Sequence, residues 1–347
     1  MVNTANCVNR SCEPLRILET QLFETAMQSI TRLLRAIIFT IVLPAVDLPA
    51  QITLDLIAAP SRPEIFAEGI VSTSVNERDF AISPDGREVY FTITSPQSTF
   101  QTIVFMRKEG NAWTKPQITS FAGNYSDLEP AFSPDGRKMY FASNRPISGN
   151  KPKDFDIWVV ERAGSVWGDP KNLGTPVNTS ADEFYPSTTK NGNLYFTAQY
   201  EGGVGKEDIY FSSLSGSAYT APVALDTAVN STFYEFNAFV EPDEKFIIFS
   251  SFGRNDDTGR GDLYISTKGE SGKWTKARNL KMVNSNRLDY CPYVSADRKI
   301  FFFTSERSAL PLSFDIRTSY EEISRISGSA LNGTGNIYWM QFDSLKD

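Results

Sequence analysis

The sequence predicts an all-β protein, a β-propeller of five four-stranded blades whose N-terminal strand closes the last blade. Three observations carry this. A turn reading Ala-Ile-Ser-Pro-Asp-Gly-Arg at 81–87 returns as Ala-Phe-Ser-Pro-Asp-Gly-Arg at 131–137, then in weaker form near 190, 242 and 296. A period near fifty residues is the mark of a propeller or solenoid. The last copy stops after three strands, while a spare strand-like segment, 63–69, stands before the first copy. Joining the two would close a ring and remove open sheet edges. A six-bladed ring is the alternative, and would draw on 308–335, the one unassigned stretch long enough to supply part of a blade.

Within a copy, the first strand leads into the Ser-Pro-Asp-Gly turn, where Pro and Gly suit a tight hairpin. The second strand follows at 89–93, 139–143, 194–198, 246–250 and 300–304. These runs are apolar throughout, as expected for strands covered on both faces. The third starts at Asp156, Asp208 and Asp262, and at Asn336 in the last copy. The fourth is expected after an aromatic with Pro or Ala three residues on: Trp113 with Pro116, Trp167 with Pro170, Tyr219 with Pro222, Trp274 with Ala277. These aromatics read as wedges at the outer edge. Residues 308–335 read as an insertion between the second and third strands of the last blade.

Residues 1–50 read as a leader with an export signal, and 51–347 as a single propeller domain. Arg32 and Arg35 precede an apolar run at 36–46, and Leu48-Pro49-Ala50 offers a cleavage site before Gln51. Met27 would be a natural start for such a signal. The run is short for a bilayer span, so no stable membrane span is expected, and the location is periplasmic or secreted. Cys7 and Cys12 lie in the leader, which leaves Cys291 alone and excludes a disulfide framework. The chain has no histidine, which removes Ser-His-Asp and Cys-His nucleophile systems and histidine-ligated zinc. A net charge of −7 argues against nucleic acid as a partner.

The run Ser-Pro-Asp-Gly-Arg-Lys-Met-Tyr-Phe-Ala-Ser-Asn-Arg at 133–145, followed by Asp156-Ile157-Trp158, resembles the WD40-like repeats of TolB-type bacterial propellers. The stretch from Leu173 to Glu183 looks like the version found in outer-envelope proteins. The resemblance implies a propeller of the bacterial envelope acting as a partner-binding hub. Such repeats also occur as propeller domains of peptidases.

An acid recurs just before each first strand: Glu77, Asp127, Glu183, Glu235 and Asp289. Propeller geometry would bring all five toward one mouth of the central channel, where a cation such as calcium would relieve their repulsion. Alternatively each acid accepts hydrogen bonds from its own linking loop. Arg145, Arg254 and Arg307 follow the second strands and would pair with the third-strand acids, such as Asp156 and Asp262, or serve as ligands for an anion or sugar. Tyr185, Tyr234 and Tyr290, with Phe184, Tyr200, Phe236 and Phe252, make the same face aromatic, which suits sugar or peptide recognition or packing between blades.

No residue set is assigned as catalytic. The leading reading is an exported, monomeric binding module for an envelope protein or glycan, with no cofactor required. The alternative is a glycoside hydrolase working through two or three of the acids, for example Asp127, Glu183 and Asp289. One acid with a strongly raised pKa in a cleft would favour that enzyme. A metal-stabilised structural module is the third reading. The acidic loop 255–259 lacks the spacing of an EF-hand and reads as a solvated turn.

Overall fold

A computed structural model of the protein describes residue 27 and residues 52–310 and 317–346. The export signal read from the sequence lies outside these. No helix among the described residues is long and apolar enough to cross a membrane.

Five antiparallel sheets form five blades. The inner strands are Glu77–Ile82, Asp127–Phe132, Glu183–Thr188, Tyr234–Val240 and Asp289–Val294. Each is followed by a second and a third strand and, in the first four blades, by an outer strand of only two residues. The second strands, such as Leu194–Ala198 and Ile300–Ser305, are buried on both faces. They sit in mid-sheet with neighbouring blades stacked on either side, which is why the sequence shows apolar runs there instead of alternation.

Closure follows the expected course. Strand Glu64–Ile65 pairs antiparallel with Asn336–Gln341, placing Glu64 opposite Trp339 and Ile65 opposite Tyr338. The Phe66 N–H donates to the Ile337 carbonyl, and its ring lies 5.2 Å from those of Phe80, Phe302 and Trp339. The N-terminal segment also touches blade 1, where the Trp113 N–H donates to the Ile52 carbonyl. The insertion in blade 5 carries a helix, Tyr320–Ser327, capped by the Ser319 hydroxyl accepting from the Glu322 N–H.

The repeated aromatics precede the fourth strands, as expected. They sit on a short hairpin past the third strand, and the outer strands Gln117–Ile118, Lys171–Asn172, Val223–Ala224 and Arg278–Asn279 come just after the Pro or Ala. Trp167, Tyr219 and Trp274 each lean on a tyrosine of the preceding blade: Trp167 Nε1 donates to the Tyr90 hydroxyl, and the hydroxyls of Tyr219 and Tyr140 lie 3.4 Å apart. The ring of Trp274 lies 6.4 Å from that of Tyr195.

Every inner strand is broken two residues past its recurrent acid. Asp79, Glu129, Tyr185, Asn237 and Cys291 all have positive φ, from 49° to 62°, and the register with the second strand shifts there. Non-glycine residues seldom take this conformation, and five bulges at one repeat position re-aim five side chains.

Candidate functional site

The five recurrent acids are buried at the starts of their inner strands and tied to their own linking loops. The backbone N–H four residues earlier donates to each: Thr73 to Glu77, Gly123 to Asp127, Thr179 to Glu183, Ser231 to Glu235 and Ser285 to Asp289. None of the five lines either of the two axial cavities described below. Their hydrogen bonds are those of the second expectation: each acid fixes the loop that enters its blade.

The arginines complete these ties and do not pair with the third-strand acids as expected. Arg145 Nη2 lies 2.5 Å from Asp127, Arg254 Nη2 lies 2.9 Å from Glu235, and Arg307 Nη2 lies 3.7 Å from Asp289. Each also donates to a loop carbonyl, of Phe121, Val229 and Val283 respectively. Each guanidinium lies over two rings, Phe141 and Trp158 in the case of Arg145. Asp156 takes Lys153 and Asn172 instead, and Asp262 takes Thr258 and Asn279. In the loop 255–259, Asp256 and Asp257 both accept from the Tyr264 hydroxyl.

Blade 3 has no arginine at this point, and Tyr200 takes its place. The Tyr200 hydroxyl lies 2.7 Å from Glu183 and 2.8 Å from the Val177 carbonyl. Burial pushes the Glu183 carboxyl up to about 7. Tyr200→Phe should cost about 1–3 kcal/mol, the worth of one hydrogen bond to a buried carboxyl whose Thr179 donors stay in place, and should raise that pKa further. Urea midpoints at pH 5 and pH 8 would check it; equal midpoints for native and variant would remove the tyrosine from this role.

The axis is occupied by the bulge residues, two positions beyond the acids singled out from the sequence. Arg78 bridges Asp79 and Glu129, with 2.8 Å to each. Glu129 also accepts from Asn237 Nδ2 at 3.2 Å and from the Tyr185 N–H at 2.6 Å. The Cys291 thiol donates to Asp79 at 2.7 Å, and the Tyr185 hydroxyl donates to the Pro292 carbonyl. This buried plug joins all five blades. Burial pushes the Glu129 carboxyl up to about 8 against the pull of Arg78, and pushes the Cys291 thiol up as well.

On the acid side of the plug lies a cavity of about 290 Å³, lined among others by Arg78, Glu129, Phe155, Phe184, Glu207, Phe236 and Tyr290. The aromatic character expected of this face is thus present in Phe184, Phe236 and Tyr290. Tyr185 belongs to the plug, and Tyr234 stands outside the cavity with Lys206 5.0 Å from its ring. Glu207, half-buried in the wall, was not singled out by sequence reasoning. Burial, then the nearby charge of Asp182, raise its pKa to about 7, and among the described residues nothing hydrogen-bonds to its carboxylate. The cavity therefore holds one acid fixed by donors and one free acid, between ring walls. Among the described residues, no group of three or more Cys, Asp or Glu side chains is arranged to hold a metal ion.

No family model matches the chain, and no curated protein matches it. Solved structures do. One is a glycoside hydrolase, with TM-score 0.50 and 7% identity over 84% of this chain and 91% of that one. An α-L-arabinofuranosidase from Lactobacillus brevis gives 0.46 and 15%, over 79% and 92%. TolB from Acinetobacter baumannii gives 0.42 and 16%, over 66% and 49%, so this chain spans about half the length of TolB. At such identities the likeness is one of fold.

Proposed function

We propose that this protein is a carbohydrate-active propeller that binds a saccharide in the cavity on the acid side and cleaves it as a glycoside hydrolase. One observation carries the reading: two carboxyl groups of raised pKa, Glu129 and Glu207, share a ring-walled cavity on the axis. Aromatic faces suit sugar rings, and an acid–base pair is what glycosidic cleavage requires. In this reading Glu129, protonated near neutrality, gives its proton to the leaving oxygen. Glu207, nearer solvent and unencumbered, acts as base or nucleophile. This displaces the trio Asp127, Glu183 and Asp289, whose hydrogen bonds are spent on their own loops. The signal-like segment before Gln51 supports action outside the cytoplasm.

A panel of aryl glycosides and oligosaccharides tests this. The native chain should hydrolyse at least one, with Glu207→Gln and Glu129→Gln each lowering kcat by about 10²–10⁴. A substrate hydrolysed equally well by both variants would overturn the assignment. The three donors on Glu129 favour a second reading, saccharide binding without turnover, which predicts retained oligosaccharide binding and no product from any substrate.

A further inference from the structure

The axis holds a second cavity, about 180 Å³, on the face of the Ser-Pro-Asp-Gly turns. Glu207 does not line it, so a glycan reaches the acid pair from the acid side. There blade 4 presents rings that stand outside the cavity. We propose that Tyr234 and Phe252 form an outer binding platform and, on the saccharide reading of the cavity, that the substrate is an oligosaccharide with at least two sugar residues beyond the part held inside.

The rings continue the cavity wall. Side chains two apart on a strand share a face, so Tyr234 stands on the same face as Phe236, one step of roughly 7 Å further out, and Phe236 lines the cavity. Phe252 is the direct cross-strand partner of Tyr234, and their rings lie 6.1 Å apart at 37°. The row therefore runs from the cavity wall to the rim of the blade. It is also open to solvent. Among the described residues only four aromatic side chains are exposed, and two of them, Phe233 at 39% and Phe252 at 44%, meet at this rim. Gly253 lets them meet, since a Cβ there would lie 2.8 Å from the Phe233 ring. Single exposed rings are ordinary, whereas a cluster of them marks a contact site. The backbone ties this cluster to the free acid. The Lys206 N–H donates to the Phe233 carbonyl and the Glu235 N–H to the Glu207 carbonyl, so Glu207 is held at the edge of the strand that carries Tyr234. A glycan lying on the rings passes that carboxyl. Lys206 Nζ, 5.0 Å from the Tyr234 ring, adds a hydrogen-bond donor at the same rim. Ring faces for stacking beside a donor for hydroxyls suit a sugar chain better than a purely apolar partner.

Titration calorimetry of the full chain with cello-, xylo- and arabino-oligosaccharides, from disaccharide to hexasaccharide, tests this. In a series that binds, the tetrasaccharide should bind about tenfold more tightly than the disaccharide, the worth of two stacked rings. Phe252→Ala should bring that ratio down to about threefold, and Phe252→Trp, which keeps a ring, should preserve it. A ratio near one in the native chain, or an undiminished ratio in Phe252→Ala, would overturn the platform. If the disaccharide is still bound or cleaved in that case, the saccharide cavity stands without it. Binding of no oligosaccharide of any length would overturn both.

Discussion

Phe66→Ala should lower the stability of the ring by about 3–5 kcal/mol, the range for removing a large ring from a filled core. The closing strand is only two residues long, so its few hydrogen bonds are worth about 0.5–1.5 kcal/mol each. Packing must dominate. The Phe66 ring is 1% exposed and touches Phe80 of blade 1 as well as Phe302 and Trp339 of blade 5. It therefore joins the first blade to the last at the one junction where the chain does not run on from blade to blade. Glu64→Ala, on the exposed side of the same strand, should stay within about 0.5 kcal/mol of native. Urea unfolding followed by tryptophan fluorescence would give both values. A Phe66→Ala cost near that of Glu64→Ala would mean that closure rests on something other than this ring.

The closure could be read in the sequence because it is a matter of counting: a spare strand at one end and a missing one at the other. The blades were equally legible, since the Ser-Pro-Asp-Gly turns and the doubly buried second strands leave local signatures. The ring of acids was found by recurrence, but recurrence does not say what a side chain faces. Arg145 and Asp156 looked like partners because they flank one loop, yet the guanidinium folds back to Asp127, which lies before the second strand. The plug was missed for a different reason. A polar residue near the start of a strand reads as one step of an ordinary alternation. The bulge, which turns that residue onto the axis, is set by backbone geometry and not by residue type. Asp, Glu, Tyr, Asn and Cys share no chemistry that would mark them as equivalents. Their common signal is position alone, two residues after each recurrent acid, together with a carboxylate at two of the five.

Arg78→Met should be the most damaging polar substitution, and its cost should depend on pH. The Arg78 side chain holds two buried carboxyl groups, Asp79 and Glu129, and lies 5.2 Å from the centre of the Tyr290 ring. Taking away one partner of a buried ionic group costs about 3–5 kcal/mol, because the charge left behind is unmet. Glu129 sets the direction with pH. Its carboxyl is raised from an ordinary 4.5 to about 8, so the folded state keeps a proton that the unfolded chain gives up. Its contribution is fully present below about 4.5 and is lost as pH rises through about 8. Without Arg78, the main pull holding that pKa down is gone and it climbs further. The stability gap between variant and native should then widen from pH 5 to pH 10, by about 1.4 kcal/mol for each unit of extra shift once the pH is above both folded values. Adding Glu129→Gln removes the charge that Arg78 serves, and should narrow the gap at pH 10 while changing little at pH 5. Chemical denaturation of the four proteins at both pH values completes the cycle. A gap of equal size at pH 5 and pH 10 would show that Glu129 stays ionised throughout. It would then be a structural anion and not the proton donor assigned to it.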